Sequence, residues 1–111
     1  MSDCLFCRIV AREIPSTKVF EDDRIYAFED ILPQAPIHVL IVPKKHYVNV
    51  HDASEDPGLL GELITRSAAI ARDKGTPDFR LVTNSGVLGG QAVFHLHFHV
   101  LGGRQMRWPP G

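Results

Sequence analysis

Residues 93–101 read Val-Phe-His-Leu-His-Phe-His-Val-Leu and place three histidines, His95, His97 and His99, at alternate positions. Successive side chains of an extended chain point to opposite faces, so this spacing predicts a strand with all three imidazoles on one face. The residues between and beside them would form the opposite, apolar face: Phe94, Leu96, Phe98 and Val100. We therefore expect a sheet with a core on one side and a row of imidazoles on the other.

The rest of the chain predicts the other elements of an α+β domain. Apolar and β-branched runs between turn residues predict four more strands: Lys18–Glu21, Ile25–Glu29, His38–Val42 and Phe79–Thr83. Apolar residues at spacings of three and four predict two helices, a short one from Leu5 that ends at Pro15 and a long one from Asp56-Pro57 to Lys74-Gly75. Short turns between strands favour a five-stranded, mostly antiparallel sheet with the helices on one side.

Composition and charge narrow the class of protein. A chain of 111 residues is expected to form one domain, residues 1–111, with a C-terminal tail over 102–111. The net charge of -1 lacks the basic excess of a nucleic-acid-binding protein, so no nucleic-acid partner is expected. No apolar run approaches the roughly 20 residues that span a bilayer. The first residues lack the pattern of a signal peptide, and a cytoplasmic location is expected.

The only two cysteines, Cys4 and Cys7, stand close together near the N-terminus. A redox pair of this spacing usually follows the first strand of a βαβ unit, and no strand precedes this one. A stable disulfide is not expected in a reducing compartment. The pair is therefore either half of a metal site or two small apolar residues on a short helix.

Two chemistries compete for the histidine row. One is a three-histidine catalytic metal site, but residues four apart on a strand lie about 13 Å apart, so closing all three on one ion needs strong bending. The other is nucleophilic attack on phosphorus by a neutral imidazole, with the middle histidine, His97, as the nucleophile. The preceding Gly89-Gly90-Gln91 stretch suits the second chemistry, because backbone N–H groups without side-chain obstruction can approach an anion closely.

These residues resemble one known family. The run 89–103 resembles the histidine-triad (HIT) signature, three alternating histidines between apolar residues, and residues 102–111 resemble the C-terminal segment of its Hint branch, the purine nucleoside phosphoramidases. Three other segments are also similar: 22–24, 30–36 and 42–46. The resemblance covers essentially the whole chain and implies a HIT-like fold in a single HIT domain.

The resemblance also implies roles for individual residues. His97 would be the nucleophile that takes up the nucleoside monophosphate, His99 would bind the phosphate, and His38 would support the catalytic imidazole. The carboxylate of Asp30 would hold the ribose hydroxyls. The remaining nucleotide-binding positions implied by the family are Phe6, Ile9, Phe28, Asn84, Gly90 and Gln91.

The same resemblance also implies a role for the two cysteines. In a zinc-binding subset of the family, two N-terminal cysteines join two histidines, and the matching residues here are Cys4, Cys7, His46 and His95. Such a closed Cys2His2 site is structural and would fasten the N-terminal helix to the sheet. Structural zinc and no organic cofactor are therefore expected. His51 has no assigned role and is expected to be solvated in a loop.

The expected activity is hydrolysis of nucleoside 5′-phosphoramidates, with adenosine as the nucleoside and AMP as the product, in a homodimer whose C-terminal tail reaches the partner's site. His99 favours hydrolysis over transfer, because nucleotidylyltransferases of the superfamily carry glutamine there. Ala92 departs from the many Hint members that carry a serine at this position. The alternatives are hydrolysis of dinucleoside polyphosphates or acyl-adenylates at the same site, a nucleotide-binding scaffold with weak catalysis, and a redox or metal sensor built on the cysteines.

Overall fold

The computed structural model describes residues 3–111; Met1 and Ser2, part of the segment from which a cytoplasmic location is expected, lie outside the described residues. Within residues 3–111, three helices and five strands follow one another in the chain order α1 (Leu5–Val10), β1 (Lys18–Glu21), β2 (Ile25–Glu29), β3 (Ile37–Pro43), α2 (Val50–Ala53), α3 (Pro57–Asp73), β4 (Phe79–Val82) and β5 (Phe98–Gly102). None of the helices in the described part of the chain has the length and apolar character needed to cross a bilayer.

The five strands form one antiparallel sheet in the order β1-β2-β3-β5-β4. This confirms the predicted α+β class and the five-stranded sheet. In the β3–β5 pair, Leu40 lies opposite His99 and His38 lies opposite Leu101. Side chains of an antiparallel pair that are directly or diagonally opposite share a face, so this register brings the imidazoles of His38 and His99 together.

The long helix α3 begins and ends as its sequence predicts. The carboxylate of Asp56 accepts a hydrogen bond from the backbone N–H of Leu59, and Pro57 occupies the first turn. At the other end Gly75 adopts a positive φ of 78°, the left-handed conformation that commonly ends a helix. The apolar stripe of α3 then lies against the sheet.

The two faces of the sheet carry different helices, so the prediction of helices on one side is wrong. One face packs against α3 through a core that includes Val39, Ile41 and Val100. The other face packs against α1, whose Phe6 and Ile9 contact alternate residues of the same strands: Tyr26, Phe28, Leu40 and Val42. The apolar residues of the short helix α1 cover part of this second face. The same face also carries the histidines.

The histidine segment is only partly a strand, which corrects the prediction for residues 93–97. β5 begins at Phe98, and residues 93–95 form a bend. The backbone N–H of Leu96 bonds to the carbonyl of Tyr47 at 2.7 Å, which ties this stretch to a loop rather than to a sheet neighbour. Phe94 is consequently half exposed instead of buried, while the other three apolar residues of the row are buried: Leu96, Phe98 and Val100.

The bounds of β1 to β4 and of α3 are confirmed to within one residue, whereas α1 ends at Val10 rather than at Pro15, and one helix was missed. β1 and β2 have the predicted bounds, and β3 and β4 differ by one residue at their ends. The helix α2 was not predicted, because four residues are too few to show a helical periodicity. It contains His51, which is exposed as expected but on a short helix rather than in a loop.

Candidate active site and metal centre

A cleft of about 510 Å³ lies on the α1 face of the sheet. Imidazoles line one part of it, and aromatic and aliphatic side chains of α1 and β2 line another. Nine of the residues expected in the nucleotide site line this cleft: Phe6, Ile9, Phe28, Asp30, His38, Asn84, Gly90, His97 and His99. An apolar pocket with a few convergent polar groups is the usual form of a small-molecule site.

Gln91, which is expected among the nucleotide contacts, is not among the residues that line the cleft. Its buried side chain accepts a hydrogen bond from Gly86 N–H at 2.9 Å and donates to the carbonyls of Val48 and Val93. The backbone N–H groups of Gly90 and Gln91 donate to carbonyls of the same loop. These N–H groups are already bonded within the loop. They are therefore not available to bind an anion, which is the role predicted from the Gly89-Gly90-Gln91 stretch.

The tautomer of His97 is fixed by the backbone. Its Nδ1 lies 2.7 Å from the carbonyl oxygen of His95, which can only accept, so Nδ1–H donates and Nε2 keeps its lone pair. The ring of Phe6 packs edge-to-face on this imidazole with the centroids 5.0 Å apart. Burial lowers the pKa of His97 below its usual value, against the opposing effects of the His95 carbonyl and the Asp30 carboxylate. His97 is therefore a neutral imidazole with a lone pair at Nε2.

His38 and His99 form a second hydrogen-bonded pair beside it. The backbone N–H of Gln34 donates to Nδ1 of His38 at 3.0 Å, so neutral His38 carries its proton on Nε2. This Nε2 lies 2.8 Å from Nδ1 of His99 and 3.4 Å from Oδ2 of Asp30. His99 accepts at Nδ1 and consequently carries its own proton on Nε2.

The environment keeps this pair neutral. Burial, followed by the neighbouring imidazoles of His97 and His38, lowers the pKa of His99 to about 4. Burial also lowers the pKa of His38, although the carboxylates of Asp30 and Glu29 act in the opposite direction. The site thus offers an N–H donor on His99 and a lone pair on His97 at neutral pH.

A second cluster joins Cys4, Cys7, His46 and His95, the four residues expected to bind a metal. Nδ1 of His95 lies 3.3 Å from Sγ of Cys4, 3.5 Å from Sγ of Cys7 and 3.1 Å from Nδ1 of His46. Sγ of Cys7 lies 3.3 Å from Nδ1 of His46. All four ligand atoms are within 4.8 Å of one another, so the cluster can hold one metal ion.

The surroundings of His95 suit a ligand. Its Nε2 lies 2.8 Å from the carbonyl oxygen of Pro43, so Nε2–H donates and the lone pair of Nδ1 points into the cluster. Burial lowers the pKa of His95 to about 4, despite the opposing hydrogen bond to Pro43, which keeps the ring neutral. The backbone N–H of Cys7 donates to Sγ of Cys4 at 3.3 Å. The His95 side chain therefore belongs to this cluster and not to the cleft.

Asp30, His38 and His99 also lie close enough to be considered as metal ligands. The Gln34 N–H donated to Nδ1 of His38 opposes that role, because the proton of neutral His38 then sits on the nitrogen that faces the other two residues. A metal would have to displace this proton. This group is arranged for hydrogen bonding rather than for metal binding.

Comparison with known proteins identifies the family. The HIT domain profile matches residues 11–106, more than half of the chain. The chain belongs to the HIT family. An uncharacterized HIT-like protein of Synechocystis is 51% identical over 111 residues, which cover 98% of this chain and 97% of the relative.

Solved HIT structures have the same fold over nearly the whole chain. A HIT family hydrolase from Legionella pneumophila superimposes with a TM-score of 0.94 at 51% identity and covers 98% of this chain and 100% of that chain. A HIT family hydrolase from Clostridium thermocellum gives a TM-score of 0.91 at 44% identity, with 96% of each chain covered. The HIT-like fold expected from the histidine segment and the tail is thereby confirmed.

Three features of this HIT domain's cleft were not predicted from its sequence. Ser16 lines the cleft, and its hydroxyl bonds to the buried Tyr26 hydroxyl at 2.6 Å. Ile31 and Leu32 line its mouth while remaining strongly exposed. Gln34 fixes the tautomer of His38 through a backbone N–H. No residue type signals a role played by the main chain, so the sequence did not predict this contact.

Proposed function

We propose that this HIT protein hydrolyses nucleoside 5′-phosphoramidates, with adenosine as the nucleoside, through a nucleotidyl intermediate on His97. The observation that carries the proposal is the 2.7 Å hydrogen bond from His97 Nδ1 to the His95 carbonyl, which leaves a lone pair on Nε2 of a histidine that lines the cleft. The structural neighbours from Legionella and Clostridium thermocellum are HIT family hydrolases, which supports the reaction class.

The proposed reaction has two displacements. In the first, Nε2 of His97 forms a bond to phosphorus, the P–N bond of the substrate breaks, and the amine leaves after taking up a proton from solvent. In the second, a water oxygen attacks phosphorus and gives up its proton to solvent, the bond to His97 breaks, and AMP is released. In this proposal Nε2–H of His99 donates a hydrogen bond to a phosphoryl oxygen and stabilises its negative charge in both steps; the bond from His38 to Nδ1 of His99, which leaves the proton on Nε2, supports this role.

The other end of the cleft suits a nucleoside. Phe6 and Phe28 pack edge-to-face with their centroids 5.5 Å apart and offer apolar contact to a base, together with Ile9. The Asp30 carboxylate accepts a hydrogen bond from Leu32 N–H at 2.8 Å and retains acceptor capacity for the ribose hydroxyls. Both roles follow the family resemblance and extend the proposal to adenosine.

The ligand types and distances of the cluster of Cys4, Cys7, His46 and His95 support zinc as its metal. Bonds of about 2.3 Å to sulfur and 2.0–2.1 Å to nitrogen place the ligands of a tetrahedral zinc about 3.3–3.8 Å apart. The distances of 3.1 to 3.5 Å between the sulfur and nitrogen atoms are close to this range. Four protein ligands leave no open position, so zinc here would stabilise the fold. We further propose a cytoplasmic homodimer, in which the exposed Trp108 of the tail contacts the partner.

Ala92 favours a second candidate reaction at the same site. It lines the cleft and offers a methyl group where a hydroxyl could help to protonate a leaving amine. Acyl-adenylates and dinucleoside polyphosphates have leaving groups that need less protonation. Turnover of these substrates well above that of an adenosine phosphoramidate would favour the second candidate.

The test compares the wild-type protein with His97→Ala on an adenosine 5′-phosphoramidate. Removing the nucleophile is expected to lower kcat/KM by about 10³-fold or more, because the two-step route is lost. Mass spectrometry of acid-quenched wild-type protein should detect one covalently bound AMP, which His97→Ala lacks. His51→Ala, an exposed histidine outside both clusters, is the control and should retain full activity. A His97→Ala protein with wild-type turnover would refute the proposal.

A further inference from the structure

We infer that Arg104, in the tail that follows β5, is a positioning residue for the active site and acts through the backbone of Gln34. Its guanidinium donates to the carbonyl oxygen of Gln34, at 3.0 Å from Nη2 and 3.4 Å from Nε. The N–H of the same residue donates to Nδ1 of His38 at 3.0 Å. One residue of the 30–36 loop thus receives a bond from the tail and gives one to the site.

The loop that carries Gln34 has little else to hold it. Residues 31–34 are all exposed. Two hydrogen bonds form inside the loop, from Leu32 N–H to Asp30 and from the Gln34 side chain to the Leu32 carbonyl. Within residues 3–111, the bonds that tie residues 31–34 to the rest of the chain run to His38 and to Arg104. Without the Arg104 bond, His38 is the only hydrogen-bond partner outside the loop that the described residues offer to residues 31–34.

The turn at the end of β5 directs Arg104 toward the loop. Gly102 pairs with Ile37, the first residue of β3, so the tail leaves the sheet where the loop enters it. Gly103 has a positive φ of 91°, and a Cβ there would lie 2.9 Å from Cβ of Pro36. A residue with a side chain could not make this turn without moving the loop. The close approach sets the guanidinium beside the Gln34 carbonyl.

The consequence for chemistry runs through two imidazoles. While Gln34 N–H occupies Nδ1 of His38, the proton of neutral His38 stays on Nε2 and donates to Nδ1 of His99. His99 then presents its own N–H to the cleft. When the loop moves away, His38 can place its proton on Nδ1 instead, and His99 no longer has a defined donor for Nδ1. Arg104 therefore acts on a hydrogen-bond direction in the site without contacting the substrate.

The test uses Arg104→Ala and, as the matched control, Arg107→Ala in the same tail. Arg107 contributes its backbone carbonyl, which accepts from Arg80 at 2.7 Å, so truncating its side chain spares that bond. In Arg104→Ala we expect amide exchange of Gln34 to accelerate about tenfold, and long-range ¹⁵N spectra of His38 to change from the Nε2–H tautomer to a mixture. Arg107→Ala should match the wild type in both. Arg104→Lys, which restores one donor, should recover part of the protection.

A kinetic measurement rests on the proposed function. On an adenosine phosphoramidate, Arg104→Ala should lower kcat by about three- to tenfold while KM changes by less than about twofold, since the defect lies in a hydrogen bond that acts during the chemical step. An unchanged His38 tautomer, or an unchanged kcat beside an altered tautomer, would overturn the inference. If the wild-type protein hydrolyses no phosphoramidate, the proposed function fails, and the exchange and tautomer measurements still decide whether Arg104 positions His38.

Discussion

The segment 95–99 contributes histidines to two clusters that use the same side chain in opposite ways. In the metal cluster, Nε2–H of His95 donates to the Pro43 carbonyl and the lone pair of Nδ1 faces two sulfurs and a second imidazole. In the cleft, Nδ1–H of His97 donates to the His95 carbonyl and the lone pair of Nε2 is the one left for chemistry. The difference lies in which ring nitrogen finds a backbone acceptor.

Backbone groups therefore assign the function of each imidazole. A carbonyl fixes the proton of His95 and of His97, whereas an N–H, that of Gln34, fixes the proton of His38 on the nitrogen facing His99. Lone pairs converge in the metal cluster, whereas in the cleft the N–H groups of His97 and His38 meet acceptors and the N–H of His99 faces the cleft. The first arrangement holds a cation and the second orients a neutral, reactive imidazole. The following predictions test this contrast, beginning with the largest effect.

Zinc should stabilise the protein strongly, and only while the metal cluster of Cys4, Cys7, His46 and His95 is intact. Binding at about 1,000 times the dissociation constant contributes about 4 kcal/mol, which raises Tm by about 10 °C or more for a domain of this size. Thermal unfolding of chelator-treated protein with and without added zinc measures this. His46→Ala should remove the increment, because it deletes one ligand.

The control for this prediction is His51→Ala, because His51 is also an exposed histidine and lies five residues further along the chain. It should keep the full increment. An equal response of the two variants to zinc would mean that the metal binds elsewhere. The metal-binding role assigned to this cluster would then be wrong.

Acid should destabilise the cleft cluster through His99. Its pKa in the folded protein is lowered from the ordinary 6.5 to about 4, mainly by burial and then by His97 and His38, with Asp30 opposing. Between these values the unfolded chain binds a proton that the folded chain excludes, so the stabilisation is present above pH 6.5 and is lost as the pH falls toward 4.

Urea unfolding at pH 7.5 and 5.0 measures this loss of stability. Between pH 7.5 and 5.0 the free energy of unfolding of the wild-type protein should fall by about 1–2 kcal/mol more than that of His99→Gln, because glutamine has no proton to take up. The metal cluster is unchanged between these two proteins, so its own response to acid cancels in the comparison. His51→Gln should behave as the wild type does. The same pH dependence in His99→Gln and the wild type would contradict the assignment.

The sequence predicted the residues of both clusters but not the arrangement that separates them. Alternation placed His95, His97 and His99 on one face, and the structure agrees, since the ring of Phe6 contacts both His95 and His97. Strand periodicity did not predict the bend at 93–95, because it arises from a bond to Tyr47, a residue distant in sequence.

The hydrogen bonds of Gln91 and the packing face of α1 were not predicted for the same reason. Judged from its residue type alone, the Gln91 amide could bind a nucleotide. In the structure, hydrogen bonds to Gly86, Val48 and Val93 engage it in the loop. An apolar stripe shows that α1 packs on a sheet and does not show on which face. Local periodicity thus predicts elements and candidate residues, whereas long-range backbone contacts decide proton positions and packing faces.

The smallest expected effect concerns a helix that the two clusters share. Cys4 caps α1 and Cys7 lies within it, while Phe6 and Ile9 of the same helix line the cleft. Six residues are too few for a helix to be stable in isolation, so contacts at both ends must hold it. We expect that loss of metal loosens α1 and with it the apolar wall of the cleft.

His46→Ala tests this coupling without touching the cleft, because His46 is not among the residues that line it. Its AMP affinity should fall about two- to fivefold relative to zinc-loaded wild type, a cost that a partly disordered wall imposes on binding. Amide exchange of residues 6–10 should accelerate in the same variant, and His51→Ala should show neither change. Faster exchange with unaltered AMP affinity would show that nucleotide binding does not depend on the order of this wall. Since the His95 carbonyl belongs to the main chain, the orientation of His97 should persist in either case, and turnover at saturating substrate should change less than affinity.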